Sequence, residues 1–169
     1  MTTKTNHHLL PEHLLPRTNQ FVVLVIDDMA VNRILLSKVF SASGYAVVEA
    51  ENGIEAIEMV ASGALLPDVI VTDVEMPEMD GISMTEVIRH LRNPAANIPI
   101  IVASGNPDSE MTASAYEAGA DVFLAKPFNL KELREEVKSV ITGKSARPSS
   151  SRNRGGRRAG VNQLRTRLS

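Results

Sequence analysis

The chain lacks cysteine altogether, and aromatic residues make up only 4% of its 169 residues. The absence of cysteine excludes disulfides, a thiolate zinc site and a cysteine nucleophile. No apolar run approaches the roughly 20 residues that span a bilayer. The N-terminus carries Lys4 and then only broken leucine pairs, which is not the pattern of a secretory signal. We therefore expect a cytoplasmic protein with no membrane partner.

Charge is distributed unevenly along the chain. Residues 1–143 contain 10 Lys and Arg against 20 Asp and Glu, whereas residues 144–169 contain 8 basic residues and no acid. This asymmetry predicts an acidic folded domain with a basic tail. The tail is rich in Ser, Gly and Arg and is predicted to be disordered. Residues 1–20 contain a repeated His-Leu-Leu-Pro motif whose prolines prevent a continuous helix, and they predict a flexible leader or a docking peptide.

Between these segments, apolar strand-like runs alternate with helical patterns. Strands are predicted at 21–26, 45–50, 68–72, 98–103 and 122–125, and helices at 29–43, 53–62, 82–92, 107–118 and 128–142. On the first helix Val31, Ile34 and Leu35 share an apolar face, and on the second Ile54 is expected to point inward. The alternation predicts a doubly wound α/β fold, with a five-stranded parallel sheet in the flavodoxin-like order 2-1-3-4-5 and helices on both faces.

Polar side chains follow four of these runs at their C-terminal ends. Asp27 and Asp28 follow the first run, Asp73 the third, Ser104 the fourth and Lys126 the fifth. Ligands of open α/β sheets bind at this edge. Three converging carboxylates repel one another and need a cation. With a hydroxyl and an ammonium beside them, they would suit a phosphoryl group bound with Mg²⁺.

These residues form an ordered set that resembles the two-component response regulator receiver domain. The set is Asp27-Asp28, Asp73, Met76-Pro77-Glu78-Met79-Asp80-Gly81, Ser104-Gly105 and Lys126-Pro127-Phe128. The resemblance covers residues 21–143. Nothing in residues 144–169 resembles a winged-helix, helix-turn-helix or enzymatic output domain. We therefore expect a single-domain regulator, similar to chemotaxis regulators, with extensions at both ends.

The resemblance implies that Asp73 is the phosphoacceptor. A carboxylate can attack phosphorus and hold the group as an acyl phosphate. It also implies a Mg²⁺ site in which Asp28 binds directly and Asp27 mainly through water. Asp73 and the backbone carbonyl of Glu75 would supply further oxygen ligands, as this cation prefers.

The same resemblance assigns residues that respond to the phosphoryl group. Ser104 would donate a hydrogen bond to a phosphoryl oxygen, and Gly105 would allow close backbone approach. Lys126 would pair with the phosphoryl charge, aimed by a cis peptide bond to Pro127. Phe123 stands at the aromatic switch position and, from its strand pattern, is also simply a half-buried aromatic.

The function expected from this resemblance is switching rather than catalysis on a separate substrate. A sensor histidine kinase or a histidine phosphotransfer protein would donate the phosphoryl group. Partner binding would then change on a surface spanning residues 107–142, through Ser104 and Phe123. Self-catalysed phosphorylation and dephosphorylation are the only reactions expected, and Glu75 and Asn106 would flank the path of a hydrolytic water.

Two alternatives compete with this interpretation. Haloacid-dehalogenase-type phosphatases also use a strand-end aspartate with Mg²⁺, but they require Asp-x-Asp-x-Thr/Val, which neither Asp27-Asp28-Met29 nor the residues after Asp73 provide. The second alternative is a regulator associated with RNA or DNA, whose arginine-rich tail at 144–169 neutralises phosphates. The tail has no aromatic residue to stack on bases, which weakens this alternative.

Overall fold

The computed structural model describes residues 20–143. The predictions for the leader and for the basic tail, including its nucleic-acid contact, concern residues outside this range. The strands are β1 (Val22–Ile26), β2 (Ala46–Ala50), β3 (Val69–Asp73), β4 (Ile100–Ser104) and β5 (Val122–Ala125). The α-helices are α1 (Ala30–Ala42), α2 (Gly53–Ala61), α3 (Gly81–Arg89), α4 (Ser109–Ala118) and α5 (Leu130–Ile141). A 3-10 helix, Pro94–Asn97, lies between α3 and β4 and was not predicted.

All strand pairs are parallel, and the sheet order is β2-β1-β3-β4-β5. The predicted doubly wound fold and its strand order are therefore confirmed. The register aligns Ile26 with Thr72, Asp73 with Ala103, and Ser104 with Ala125. Because all strands run the same way, the residues after their C-terminal ends meet at one edge of the sheet.

Two apolar clusters, one on each face of the sheet, form the core. Alternate residues of the strands point to opposite faces, so Leu24 and Ile26 join one cluster while Val23 and Val25 join the other. The first cluster receives side chains from α2, α3 and α4, and the second from α1 and α5. The strands β1, β3 and β4 are buried along their whole length, as expected for central strands of a parallel sheet.

The inward faces of two helices differ from the expectation. Val31, Ile34 and Leu35 on α1 are 49–64% exposed, whereas Arg33 and Phe40 are buried. Ile54 on α2 is also exposed, at 40%. Helix α1 carries apolar side chains around most of its circumference, so periodicity could not choose the face that packs on the sheet.

No helix within residues 20–143 is both long enough and apolar enough to cross a membrane.

Candidate functional site

Three carboxylates converge at the C-terminal edge of the sheet. Asp27 and Asp28 follow β1, and Asp73 is the last residue of the adjacent strand β3. One potential ligand oxygen from each of the three lies within 4.8 Å of the other two. Such proximity of like charges is unfavourable unless cations or protons compensate it. The structure therefore brings together the three acids that the sequence pattern had grouped.

The ammonium of Lys126 provides part of this compensation. Its Nζ atom lies 2.9 Å from Oδ1 of Asp73 and 3.9 Å from Oδ2 of Asp27. Lys126 follows β5, and its peptide bond to Pro127 is cis, as predicted. The backbone N–H of Lys126 also donates a 2.7 Å hydrogen bond to the carbonyl of Ser104. The lysine thus reaches across the sheet edge from β5 to both β3 and β1.

The carboxylate of Asp27 is buried and already holds several hydrogen bonds. The side-chain amide of Asn32 donates to Oδ1 at 3.1 Å and to Oδ2 at 3.0 Å, and the backbone N–H of Met29 donates to Oδ1 at 2.9 Å. Asp27 is 3% exposed, whereas Asp28 is exposed to solvent. Asp27 is therefore buried and held by hydrogen bonds, whereas Asp28 is accessible to solvent.

Asp73 is a buried acid whose negative charge is incompletely compensated. Burial raises its pKa from 3.8 to about 6, against the opposing effect of the Lys126 ammonium. The carboxylates of Glu75 and Asp27 add to the increase. Oδ1 of Asp73 is buried and has no hydrogen-bond partner of good geometry, although the Lys126 ammonium is close enough to form an ion pair with it. This oxygen is consequently available to a further cation.

Glu75 occupies the Ser104 hydroxyl, the donor that was predicted to hold a phosphoryl oxygen. The hydroxyl of Ser104, which is fully buried, donates to Oε1 of Glu75 at 2.6 Å. The backbone N–H of Gly105 lies 3.5 Å from the other oxygen. Burial tends to raise the pKa of Glu75, but hydrogen bonds from Ser104, Asp73 and the backbone outweigh it and lower the pKa. The Ser104 hydroxyl is therefore engaged by Glu75 in this structure.

The turn after β3 packs tightly against Asp73. A Cβ atom at Gly81 would lie 2.1 Å from the backbone carbonyl oxygen of Asp73. Asp80 caps α3 by accepting hydrogen bonds from the backbone N–H groups of Ile82 and Ser83, both at 2.8 Å. By contrast, a Cβ at Gly105 would meet nothing within 4 Å. The crowded glycine is thus Gly81, whereas the space beside Gly105 is open. The close backbone approach expected at Gly105 concerns a phosphoryl group and remains a prediction.

Phe123 lies in β5 and is half-buried, packed against the cluster that α2, α3 and α4 cover. This is the burial expected from its strand pattern. Its role as a switch remains a prediction.

Two residues that contact the acidic pair, Asp27 and Asp28, were not singled out from the sequence. Asn32 holds the carboxylate of Asp27, and Arg33 donates to the backbone carbonyls of Asp27 and Asp28. Both belong to the first turns of α1, directly after the pair. Their position five and six residues after Asp27 places them above it once the helix forms. That spacing is the signal that could have identified them.

The donor set of this edge fits a magnesium ion. It offers oxygen ligands only, from Asp27, Asp28 and Asp73, and Mg²⁺ prefers hard oxygen ligands. The buried Oδ1 of Asp73 has no hydrogen-bond partner of good geometry and lies 2.9 Å from the Lys126 ammonium, and it would serve as a further oxygen ligand. Three carboxylates facing one ammonium also leave a net negative charge that a divalent ion would balance.

Comparison with known proteins gives a consistent result. The family model for the response regulator receiver domain matches residues 23–138. A curated relative, the response regulator MprA of Mycobacterium ulcerans, is 39% identical over 119 residues, covering 70% of this chain and 49% of the relative. The chain therefore spans about half the length of the curated relatives that it matches.

Solved structures show the same similarity. The receiver domain of the Francisella response regulator 1452 has a TM-score of 0.67 at 30% identity, covering 73% of this chain and 98% of that one. The receiver domain of the sensor histidine kinase PA1611 from Pseudomonas aeruginosa has a TM-score of 0.66 at 28% identity, covering 73% and 99%. That structure contains a magnesium ion coordinated in its active-site cleft.

Proposed function

We propose, since this chain belongs to the response regulator receiver family, that Asp73 is the side chain on which it accepts a phosphoryl group. Receiver domains are the phosphoacceptor signalling domains of two-component systems. One observation carries the assignment to Asp73: its carboxylate lies 2.9 Å from the ammonium of Lys126 and beside the two acids that follow β1. A nucleophilic carboxylate next to positive charge is the arrangement that phosphoryl transfer requires.

In the proposed reaction an oxygen of Asp73 attacks phosphorus. A new P–O bond to Asp73 forms while the bond from phosphorus to the donor's leaving atom breaks, and that atom keeps the bonding electrons. The acquired group brings roughly −1.5 to −2 units of charge. Lys126 offsets this charge, and Ser104 and Gly105 donate hydrogen bonds to the phosphoryl oxygens once Glu75 has withdrawn.

Mg²⁺ is the cofactor that the site is proposed to bind, through Asp27, Asp28, Asp73 and the backbone carbonyl of Glu75. When bound, it would neutralise negative charge on the phosphoryl oxygens. The exposed carboxylate of Asp28 is free to bind directly. The oxygens of Asp27 already accept hydrogen bonds from Asn32 and Met29, which favours contact through water.

The proposed phosphoryl donor is a sensor histidine kinase or a histidine phosphotransfer protein that docks over the start of α1. Four large apolar side chains there are 49–64% exposed: Met29, Val31, Ile34 and Leu35. One of them, Leu35, lines a groove of about 350 Å³ whose other lining residues include Asp27, Lys126 and Phe128. Exposed apolar side chains that cluster beside a polar site mark a protein interaction surface. A donor seated on them would face Asp73.

Residues 107–142 are proposed as the surface that reports the phosphorylated state to a downstream protein. Ser104 ends β4 and leads into α4, while Lys126 follows β5 and leads into α5. Both side chains that respond to the phosphoryl group are therefore joined directly to this surface. Phe123, half-buried in β5 between them, is the proposed aromatic switch. A few kcal/mol of differential binding would suffice to shift such a two-state surface.

The proposed chemistry ends with formation and loss of the aspartyl phosphate. No separate substrate is proposed. Glu75 and Asn106 are proposed to tune its lifetime, since both lie beside Ser104: Glu75 accepts its hydroxyl hydrogen bond, and the backbone N–H of Asn106 donates to its oxygen at 3.0 Å.

Intact mass spectrometry after incubation with Mg²⁺ and acetyl phosphate tests the assignment. The wild-type chain should gain one phosphoryl group, and Asp73→Asn, which keeps the shape of the side chain, should gain none. Asp68→Asn is the matched control, because Asp68 precedes the same strand at its opposite end and an amide oxygen can still accept the hydrogen bond from Val22. Equal labelling of Asp73→Asn and wild type would show that the site is wrong.

A further inference from the structure

Arg33 is a buried cation on α1 that the proposed phosphoryl chemistry does not use. It is 8% exposed, and a guanidinium removed from water to this extent is costly unless its donors are paired. Nη1 donates to the carbonyl of Asp27 at 2.7 Å and to the carbonyl of Asp28 at 3.2 Å. Nη2 donates to Glu51 at 2.9 Å, and Nε lies 3.6 Å from Glu49. The side chain thus joins α1 to the ends of both β1 and β2.

The two carbonyls that Arg33 holds belong to the pair of acids proposed to bind Mg²⁺. Fixing the carbonyls of Asp27 and Asp28 restrains the backbone dihedral angles there, and hence the directions in which the two carboxylates project. The neighbouring Asn32 restrains the carboxylate of Asp27 itself, with hydrogen bonds of 3.0 and 3.1 Å. Consecutive residues of one helix therefore hold the pair through its backbone and through one of its side chains.

The positive charge of Arg33 is partly compensated, so it repels a cation at Asp27 and Asp28 less than an unpaired guanidinium would. Glu49 and Glu51 compensate the guanidinium on the side facing β2. The face directed at Asp27 and Asp28 donates to their carbonyl oxygens rather than to their carboxylates. Arg33 can accordingly organise the site without competing for it, unlike Lys126, whose ammonium lies against Asp73 itself.

We propose that Arg33 is a positioning residue for the divalent-cation site: through the carbonyls of Asp27 and Asp28 it holds both carboxylates in the geometry that Mg²⁺ needs. This inference rests on the proposed function, since it concerns the same metal site. Residues that orient metal ligands by hydrogen bonds, without touching the ion, typically contribute about 10- to 100-fold to metal affinity. The loss of Arg33 should therefore weaken Mg²⁺ binding more than it weakens the fold.

Arg89 is a matched control within the same chain. Its side chain is 10% exposed and donates to the carbonyls of Gly119, Ala96 and Ile98 at 2.8–3.1 Å, and it pairs with Asp121 at 2.9 Å. These contacts lie before β4 and β5, at the opposite edge of the sheet from the acidic pair. Arg89→Met removes a buried guanidinium that makes a similar set of hydrogen bonds, and it leaves the contacts of Asp27 and Asp28 unchanged.

The test measures Mg²⁺ affinity by isothermal titration calorimetry on the full chain, for wild type, Arg33→Met, Arg33→Lys and Arg89→Met. Chemical unfolding at saturating Mg²⁺ is measured in parallel. Arg33→Met should raise the Kd for Mg²⁺ about tenfold. Arg33→Lys should recover part of the affinity, since an ammonium can still donate to a carbonyl but lacks the planar fork. Arg89→Met should lower the unfolding free energy and leave the Kd within about twofold of wild type.

Unchanged affinity in Arg33→Met, or an equal loss in Arg89→Met, would overturn the proposal and leave the metal site standing. If Arg33→Met does not fold, Arg33→Lys decides: wild-type affinity in that variant, which retains the charge but not the fork, would also overturn it. Absence of Mg²⁺ binding by the folded wild-type chain would instead reject the metal site itself, and the positioning role with it.

Discussion

The hydroxyl of Ser104 donates a 2.6 Å hydrogen bond to the carboxylate of Glu75. Ser104 ends β4, and Glu75 lies two residues beyond the end of β3, so this bond closes the gap between adjacent strands directly beside Asp73. In the proposed reaction the same hydroxyl serves a phosphoryl oxygen. Glu75 and the phosphoryl group therefore compete for one donor, and both are negatively charged.

Replacing Glu75 by Gln should accelerate phosphorylation of Asp73 by acetyl phosphate. The charged acceptor becomes neutral, which weakens its hydrogen bond to Ser104 by about 1 kcal/mol and removes a repulsive charge from the path of the donor. A difference of that size corresponds to roughly a fivefold increase in rate. The rate at which the intact mass increases in the presence of Mg²⁺ and acetyl phosphate measures this effect. The control is Glu78→Gln, another acid of the same loop, five residues beyond the end of β3. An equal rate in the two variants would contradict the competition.

The contribution of Asp73 to the stability of the metal-free chain should fall as pH rises from about 4 to 6. Burial raises the pKa of Asp73 to about 6, so in this range Asp73 binds more protons in the folded chain than in the unfolded chain. The stabilising effect of the proton is complete below the unfolded pKa and is lost as pH passes the folded value. Asp73→Asn carries no charge at any pH, so it should flatten this slope and exceed wild type in stability at neutral pH. Denaturant unfolding in the presence of a chelator measures both effects.

Asp80→Asn supplies a control of opposite sign for that experiment. Burial acts to raise the pKa of Asp80, but hydrogen bonds from Ser83 and from the backbone N–H of Ile82 outweigh it and lower the pKa. Its contribution to stability is therefore present at neutral pH and is lost as pH falls through the folded pKa. Asp80→Asn should be less stable than wild type at neutral pH. A steeper decline of stability with rising pH in Asp73→Asn would refute the assigned direction.

Gly81→Ala should disrupt both stability and Mg²⁺ binding. The new Cβ would lie 2.1 Å from the backbone carbonyl oxygen of Asp73, and neither backbone segment is a flexible side-chain end that can move aside. We expect a loss of about 3 kcal/mol or more in unfolding free energy, with Mg²⁺ affinity reduced because Asp73 shifts. Gly105→Ala is the comparison, since its Cβ meets nothing within 4 Å, and a change below about 0.5 kcal/mol is expected there. Similar losses in both variants would disprove the steric explanation.

The sheet was predictable because its strands are short, apolar and rich in β-branched residues. The runs ending at Ile26, Asp73 and Ser104 are buried over every strand residue, so no competing face obscured the pattern. The buried face of helix α1 was harder to predict. Val31, Ile34 and Leu35 have the periodicity of a buried face yet are exposed, while Arg33, a charged residue, is buried beside the sheet. Burial of that arginine depends on the carbonyls of Asp27 and Asp28, which are near in the chain, and on two glutamates from the end of β2, which the periodicity of α1 does not encode.

The alternation of strand-like and helical runs was enough to predict the sheet and its order, and to identify the residue that stands at each strand end. Because the strands are parallel, those residues meet at a single edge of the sheet. The contacts of each of those residues became known only from the folded structure. It placed Glu75 on Ser104, packed Gly81 against the carbonyl of Asp73 and seated Arg33 behind Asp27 and Asp28. Hydrogen bonds and close packing are decided by differences of a few tenths of an ångström in the distance between two atoms, whether their residues are near in the chain or as far apart as Glu75 and Ser104. Hydrophobic periodicity, which records only the side of an element that faces the core, does not contain that information.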